Sequence, residues 1–243
     1  MNYVIIIAGG VGARLGASVP KQFVEVLGKP VIAYTMEHFQ NHPEIDAIEL
    51  VCVDGFQERL KEIAERYGIS KVIKIVKGGS EYERSIMNGV AGLAGIAKPD
   101  DIVMIHWAAS PFLTEEIISD NIRVCKEKGN AISASYSYLL YGSNDGDCAK
   151  KAINRESFMT LSAPQSFKYS VITDLYRRVE EEKLFETIEE HHTTVFMTEL
   201  GIPLYFSKGS HTNIKITTKE DIDLFLGYQL EKKYKIEHPE ECL

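Results

Sequence analysis

The sequence lacks an excess of positive charge. Its 27 lysines and arginines stand against 35 aspartates and glutamates, which gives a net charge of −8. Proteins whose main partner is nucleic acid usually carry a strongly basic surface, so this composition argues against nucleic acid as a partner. A site for a phosphate-bearing small molecule must then be a local cluster of basic side chains within an acidic molecule.

Cysteine is also scarce, with 4 residues among 243 and no C-x-x-C spacing. That scarcity argues against a disulfide framework and favours reduced thiols in a cytoplasmic protein. The apolar run at the N-terminus is far too short to cross a membrane, and no charged region or cleavage site marks it as a signal peptide. We therefore expect a cytoplasmic protein with no membrane partner.

Segments typical of strands and helices alternate along the chain, which predicts an α/β fold with a mostly parallel sheet and helices on both faces. The expected strands are 3–8, 46–53, 71–76, 101–106, 131–137 and 202–206, and the expected helices are 30–40, 56–67, 81–94, 114–128, 169–183 and 185–192. A last helix is expected to begin at a capping box formed by Thr217 and Glu220. Its predicted buried face consists of Ile222, Phe225, Leu226 and Leu230.

Residues 138–156 interrupt this alternation. They are mostly polar, include Gly142 and Gly146, and show no helical stripe of apolar residues. We interpret them as a protruding β-hairpin arm, and a disordered surface loop is the alternative. Because no internal repeat, low-complexity run or linker is evident, one domain over residues 1–243 with this arm is the simplest organisation.

A glycine-rich loop that carries Arg14 and is followed by Lys21 comes directly after the first predicted strand. Glycines let backbone N–H groups approach a ligand, and two cations beside them indicate a polyphosphate. The spacing does not fit the G-x-x-x-x-G-K-[ST] pattern of a Walker loop. It does not fit a dinucleotide loop either, since Leu15 takes the place of the third glycine and Pro20 interrupts the helix. A nucleotidyltransferase loop, in which glycines cover a nucleoside triphosphate, accounts for both cations.

Five blocks, in the same order, resemble the cytidylyltransferase family that includes the methylerythritol-phosphate and ribitol-5-phosphate enzymes. The blocks are residues 8–14 with 20–23, 78–89, 106–111, 154–167 and 213–217. The resemblance implies a Rossmann-like α/β fold with a β-arm that clasps a second subunit in a homodimer. It also implies that CTP is joined to a small alcohol (polyol) phosphate with release of pyrophosphate, and that Mg²⁺ bridges the phosphate oxygens, with no protein ligand for the metal assigned.

The resemblance assigns a role to each matched residue. The catalytic residues are expected to be Arg14, Lys21 and Lys215. The expected CTP-binding residues are Ala8, Gly9, Gly10, Gly12, Gly79, Ser85 and Ala108. Small side chains at these positions leave no room for a purine, which favours CTP, with UTP as the alternative. The expected acceptor-binding residues are Arg155, Trp107, Ser110 and Thr193.

The chain departs from the family pattern at several positions, and three of them lie in the blocks at 78–89 and 106–111. Trp107 and Ser110 stand where the family has an aspartate and an arginine, and Tyr82 stands in place of another arginine. The replaced groups are those that would face the acceptor or order the metal. These departures favour a rebuilt acceptor pocket and an acceptor other than methylerythritol phosphate, although a tryptophan that merely fills the volume of a lost ion pair is an alternative.

Two other functions remain open at this point. A nucleotide-binding member of the family without turnover is one, because Trp107 replaces the aspartate on the metal side. A nucleotidyltransferase for sugar 1-phosphates is the other, although the blocks at 20–23 and 213–217 fit that family less well.

Overall fold

The computed structural model describes residues 1–10 and 19–241. The strands in the described ranges are β1 Asn2–Ala8, β2 Glu25–Val26, β3 Lys29–Pro30, β4 Ala47–Cys52, β5 Val72–Lys77, β6 Ile102–Trp107, β7 Asn130–Tyr136, β8 Tyr141–Gly142, β9 Ala152–Ile153, β10 Met159–Lys168 and β11 Phe206–Lys208. The helices are α1 Val31–Asn41, α2 Gln57–Arg66, α3 Tyr82–Gly92, α4 Glu115–Lys128, α5 Tyr169–Glu181, α6 Leu184–Thr187, α7 Thr193–Glu199 and α8 Lys219–Glu237.

The central sheet confirms the predicted mostly parallel topology. Its 7 strands lie in the order β11-β7-β10-β6-β1-β4-β5. Neighbouring strands are parallel except at β10, which is antiparallel to both β6 and β7. From β1 the chain passes to β4 and β5 on one side, and α3 then returns it to β6 on the other side of β1. The loops after β1 and β6 therefore diverge at the carboxyl edge of the sheet, which is where open α/β sheets bind ligands.

Strand β1 shows why the sheet is covered on both faces. Val4 and Ile6 pack in a cluster with residues of α1, α2 and α4, whereas Ile5 and Ile7 pack in a second cluster with residues of α3, α5 and α7. Alternate residues of a strand point to opposite faces, so a continuous apolar run must be buried on both sides. The prediction of helices on both faces is confirmed.

The long strand β10 was not predicted from the sequence. It contains Pro164, which cannot donate to a ladder and normally argues against an interior strand. The structure accommodates this proline at an irregularity in the pairing with β7, between Ser162 and Gln165. The strand expected over 202–206 is wrong in its bounds, since only Phe206–Lys208 pairs with β7. Pro203 removes a backbone donor within the expected segment.

The helices near the C-terminus differ from the prediction in their boundaries. Thr218, not Thr217, caps α8, and it forms a capping box with Asp221, one residue beyond the expected Glu220. The Asp221 carboxylate accepts from the backbone N–H groups of both threonines, which fixes the later start. Leu230, predicted to be buried, is 48% exposed. Of the region expected to be helical over 185–192, residues 185–187 lie in α6, whereas 188–192 separate α6 from α7.

Residues 138–156 contain the predicted hairpin, in which β8 pairs with β9 in antiparallel orientation. Tyr138, Leu139 and Leu140 are exposed at its base. Cys52, Cys125 and Cys148, the cysteines within the described ranges, form no disulfide. In the same ranges, every helix is too short or too polar to cross a membrane.

Helix α3 packs closely on the sheet through Gly89. A Cβ at this position would lie 2.7 Å from Cγ2 of Ile5 and 2.9 Å from Cγ2 of Val51. We expect Gly89→Ala to lower the free energy of unfolding by about 1–3 kcal/mol, because the helix must move off β1 and β4. Urea unfolding measures the change.

Gly227→Ala in α8 is the matched control, since a Cβ there meets nothing within 4 Å. This substitution should raise the free energy of unfolding by about 0.5–1 kcal/mol, because alanine is the better helix former. If the two variants responded alike, the close approach of α3 to the sheet would be contradicted.

Candidate active site

A pocket of about 460 Å³ lies at the carboxyl edge of the sheet. It is formed by the loops that follow β1, β5 and β6 together with the segment that precedes α8, and its volume suits a small-molecule ligand. The lining residues are Ile7, Gly9, Gly10, Lys21, Gln22, Gly79, Ser80, Glu81, Tyr82, Ser85, Trp107, Ala108, Ala109, His192, Lys215 and Thr217.

Lys21 begins a short 3₁₀ helix over Lys21–Phe23 and is buried. Its Nζ donates a hydrogen bond of 2.8 Å to the carbonyl oxygen of Ile216, the residue after Lys215. The side-chain amide of Gln22 donates to the carbonyl oxygen of Ala8 at 2.8 Å. This segment therefore joins the end of β1 to the segment that carries the second lysine.

The segment 213–217 is itself anchored on both sides of Lys215. The amide of Asn213 donates to the carbonyl oxygen of Ala163 at 2.6 Å, and the backbone N–H of Ile216 donates to the carbonyl oxygen of Ala109 at 2.8 Å. The Ile216 side chain is fully buried against α8. Lys215 is thus presented to the pocket from a well-fixed stretch of backbone.

Two aromatic rings lie beside the ammonium group of Lys215. Its Nζ is 4.6 Å from the ring centroid of Trp107 and 5.4 Å from that of Tyr82. The indole N–H of Trp107 donates to the Tyr82 hydroxyl at 2.5 Å. Burial raises the pKa of Tyr82, so its phenol is protonated at neutral pH.

The loop after β5 is ordered by the Ser85 hydroxyl. This hydroxyl accepts from the backbone N–H of Gly79 at 3.0 Å and donates to the carbonyl oxygen of Glu81 at 2.9 Å. A Cβ on Gly9 would lie 3.2 Å from the same oxygen. Ser85 therefore shapes the loop, and its contact with cytosine stays a prediction.

A buried carboxylate connects the pocket to the helices behind it. Glu83, fully buried next to Tyr82 on α3, accepts from the hydroxyl groups of Tyr176 and Thr193, each at 2.7 Å. Burial raises the pKa of Glu83 to about 6. Because Thr193 begins α7, this carboxylate also fixes the position of His192, which lines the pocket.

The structure brings together most of the predicted site residues that it describes. Eight of them line the pocket: Lys21, Lys215, Gly9, Gly10, Gly79, Ser85, Trp107 and Ala108. Ala8 is buried at the end of β1 and contributes its carbonyl oxygen to Gln22. Gly12 and Arg14 lie outside the described residues, so their predicted roles stay predictions.

Three predicted acceptor contacts lie away from the pocket wall. Ser110 is buried in the turn after β6, and its carbonyl oxygen lies 2.9 Å from Nε2 of His106. Thr193 is buried against Glu83. Arg155 lies in the arm, where its guanidinium donates to the carbonyl oxygen of Tyr138 at 3.0 Å. In a single chain, none of the three lines this pocket.

Sequence reasoning missed Glu81 and His192 as wall residues. His192 is exposed at a helix end, as expected, but it is the N-cap of α7 and its ring packs edgewise with that of Tyr82, 5.7 Å between centroids. The position of His192 on the pocket wall follows from where α7 begins, and the sequence pattern did not predict that helix start. The described residues hold no cluster of three or more histidine, cysteine or acidic side chains that could bind a metal.

Comparison with known proteins gives matches over almost the whole chain. The family model for IspD, 2-C-methyl-D-erythritol 4-phosphate cytidylyltransferase, matches residues 2–226. A ribitol-5-phosphate cytidylyltransferase of Lacticaseibacillus paracasei is 39% identical over 230 residues, covering 94% of this chain and 98% of that protein. A 2-C-methyl-D-erythritol 4-phosphate cytidylyltransferase of Clostridium botulinum is 36% identical over 233 residues, covering 96% and 98%. The crystal structure of 4-diphosphocytidyl-2C-methyl-D-erythritol synthase from Anaerococcus prevotii aligns with a TM-score of 0.76 and 26% identity, covering 95% of this chain and 96% of that one.

The raised pKa of Glu83 predicts a dependence of stability on pH. Folding raises this pKa from 4.5 to about 6, so the folded chain binds the proton more tightly than the unfolded chain. The stabilisation that this proton provides is complete below pH 4.5 and is lost as the pH rises through about 6. Glu83→Gln should remove that loss, so that relative to wild type its free energy of unfolding rises by about 2 kcal/mol between pH 4.5 and 7.

Urea unfolding of both proteins at several pH values measures this difference. Glu62→Gln, at an exposed position on α2, is the control and should follow the wild type at every pH. A constant difference between wild type and Glu83→Gln across this range would contradict the assignment.

Proposed function

The chain belongs to the IspD family of cytidylyltransferases, and on that premise we propose that it joins CTP to a polyol phosphate with release of pyrophosphate. We take ribitol 5-phosphate as the acceptor, in preference to methylerythritol phosphate. The main support for this proposal is the hydrogen bond from Lys21 to the carbonyl oxygen of Ile216, which places two cationic side chains on one pocket wall. The cytoplasm as the site of this activity is part of the proposal.

In the proposed reaction, an anionic oxygen of the acceptor phosphate attacks the α-phosphorus of CTP. A new P–O bond forms to the acceptor, the bond from the α-phosphorus to the bridging oxygen breaks, and pyrophosphate leaves with the electron pair. Because the attacking oxygen is already anionic, catalysis rests on positioning and on charge stabilisation rather than on a general base. Lys21 and Lys215 supply positive charge on the pocket wall, and Arg14 is expected to add to it.

Recognition of CTP rests on backbone groups in this proposal. Gly9 and Gly79 line the pocket without side chains. A Cβ on Gly79 would lie 2.4 Å from Cβ of Arg84, so the loop closes tightly there. Backbone N–H and carbonyl groups can then read the edge of a pyrimidine, while the tight loop limits the room for a purine.

We further propose that Mg²⁺ enters with CTP and neutralises charge on the phosphate oxygens. Mg²⁺ usually keeps several waters and binds through one or two carboxylates plus substrate phosphates. Within the described residues, Glu81 supplies a carboxylate on the pocket wall, so the residues present fit an ion held mainly by the substrate. Glu81 would hold it directly or through water.

Activity is tested with purified protein, CTP, Mg²⁺ and ribitol 5-phosphate, by following pyrophosphate release. Lys215→Met should lower kcat about 100-fold or more, because one stabilising charge on the α-phosphate is lost. Lys219→Met, at an exposed position four residues along the chain, is the matched control and should retain wild-type kcat.

The same assay separates the competing functions. Methylerythritol phosphate in place of ribitol 5-phosphate should give a lower kcat/KM, and ATP in place of CTP should give little product. Tight CTP binding without turnover on any polyol phosphate would refute the proposal and support a nucleotide-binding protein. Turnover with sugar 1-phosphates alone would refute it in favour of the other nucleotidyltransferase class.

We also propose a homodimer formed through the arm, with Arg155 reaching the acceptor phosphate in the partner's pocket. The support is the exposure of apolar side chains in and beside the arm, among them Tyr138, Leu139, Leu140 and Phe158. Monomeric proteins rarely expose large contiguous apolar patches. Arg155 is also exposed and lies away from the pocket of its own chain.

A complementation experiment tests this sharing of residues between subunits. Arg155→Ala and Lys215→Met should each be nearly inactive alone. Mixed dimers contain one site with both wild-type side chains, so random mixing should restore about one quarter of the wild-type activity. No recovery in dimers shown to have mixed would contradict the shared site, and a monomer by light scattering would contradict the dimer.

A further inference from the structure

Trp107 is the only tryptophan of the chain and ends β6 at the pocket wall. Its indole N–H donates to the hydroxyl of Tyr82, the first residue of α3. Since burial keeps that phenol protonated, the hydroxyl is a stable acceptor for the indole N–H. The hydrogen bond therefore fixes the orientation of both rings. We refer to these two residues as the Trp107–Tyr82 pair.

The pair faces the ammonium group of Lys215. The Nζ atom lies over the indole ring at 4.6 Å and 5.4 Å from the phenol ring centroid. Both distances fall within the limit of about 6 Å at which an aromatic face attracts a cation, and tryptophan is the strongest of the aromatic residues.

We propose that the Trp107–Tyr82 pair consists of positioning residues that hold the Lys215 ammonium group where the α-phosphate of CTP reacts. This inference rests on the proposed function and deepens it. The aromatic faces attract the ammonium group without a formal negative charge, so the pocket remains positive towards a triphosphate.

Lys215 is thereby controlled at both ends of its side chain. Its backbone is fixed by the bond from Lys21 to the carbonyl oxygen of Ile216, and its ammonium group is fixed by the pair. A tryptophan that only filled volume would require neither a partner for its indole N–H nor a cation over its ring. Both features are present at Trp107.

A double-mutant cycle with Lys215→Met tests the coupling. Trp107→Leu should lower kcat about 10-fold and change the KM for CTP by less than about 2-fold, because alignment is lost rather than binding. Trp107→Phe keeps a ring, so its kcat should lie between those of the wild type and Trp107→Leu. In the Lys215→Met background, Trp107→Leu should cause little further loss. Equal losses in both backgrounds would overturn the proposal.

Tyr82→Phe keeps the ring of residue 82 and removes only the acceptor of the indole N–H. It should lower kcat in the same direction as Trp107→Leu but by less, with an unchanged melting temperature. This variant covers the case in which Trp107→Leu fails to fold. Wild-type kcat in a folded Tyr82→Phe protein would overturn the role given to the hydrogen bond.

Tryptophan fluorescence of the ligand-free protein provides a readout that does not require activity. All the emission comes from Trp107, so Lys215→Met should shift the emission maximum, whereas Lys219→Met should leave it unchanged. An unshifted Lys215→Met spectrum would overturn the proposal even in an active enzyme. A shifted spectrum in a protein without cytidylyltransferase activity would support the contact and refute the proposed function alone.

Discussion

The hydrogen bond from Lys21 Nζ to the carbonyl oxygen of Ile216 joins two segments that are 195 residues apart in sequence. Because Lys215 directly precedes Ile216, this contact links the positions of two cationic side chains. A charged donor makes a stronger hydrogen bond than a neutral one, and burial of Lys21 strengthens it further. The pocket wall that carries these two lysines therefore depends on how a segment after β1 packs against the segment before α8.

Much of this arrangement can be read from the sequence because it follows from local patterns. The apolar run of β1 must be buried on both faces. The alternation of strands with helices along the chain leads to crossover connections between parallel strands. Parallel strands bring their carboxyl ends to one edge. The glycines after β1 and Trp107 at the end of β6 therefore meet in one pocket, as the sequence predicts. Lys215 joins them only through tertiary packing. Its place in the pocket could be predicted only from the resemblance of residues 213–217 to the family.

What the sequence could not predict depends on the direction in which individual side chains point. Thr193 was expected to bind the acceptor, and its hydroxyl turns inward to the buried carboxylate of Glu83. The Ser85 hydroxyl is bonded to Gly79 and Glu81 within its own loop, a role that the sequence pattern did not reveal. Strand β10 was missed because Pro164 contradicts the local pattern, and the sheet accepts it only at an irregular pairing. For Thr193 and for β10, a tertiary contact overrides the local signal.

The pocket wall at Trp107 and Tyr82 combines aromatic rings with little negative charge. Glu81 provides a carboxylate on the described wall, and it bonds to Nδ1 of His191 at 3.1 Å. That hydrogen bond raises the pKa of His191. In a chain of net charge −8, the scarcity of carboxylates on this wall suits the pocket to phosphate-bearing substrates. With Trp107 in place of a charged group, discrimination among acceptors must rest on shape and on hydroxyl contacts. Formal charge, which every polyol phosphate shares, cannot distinguish them.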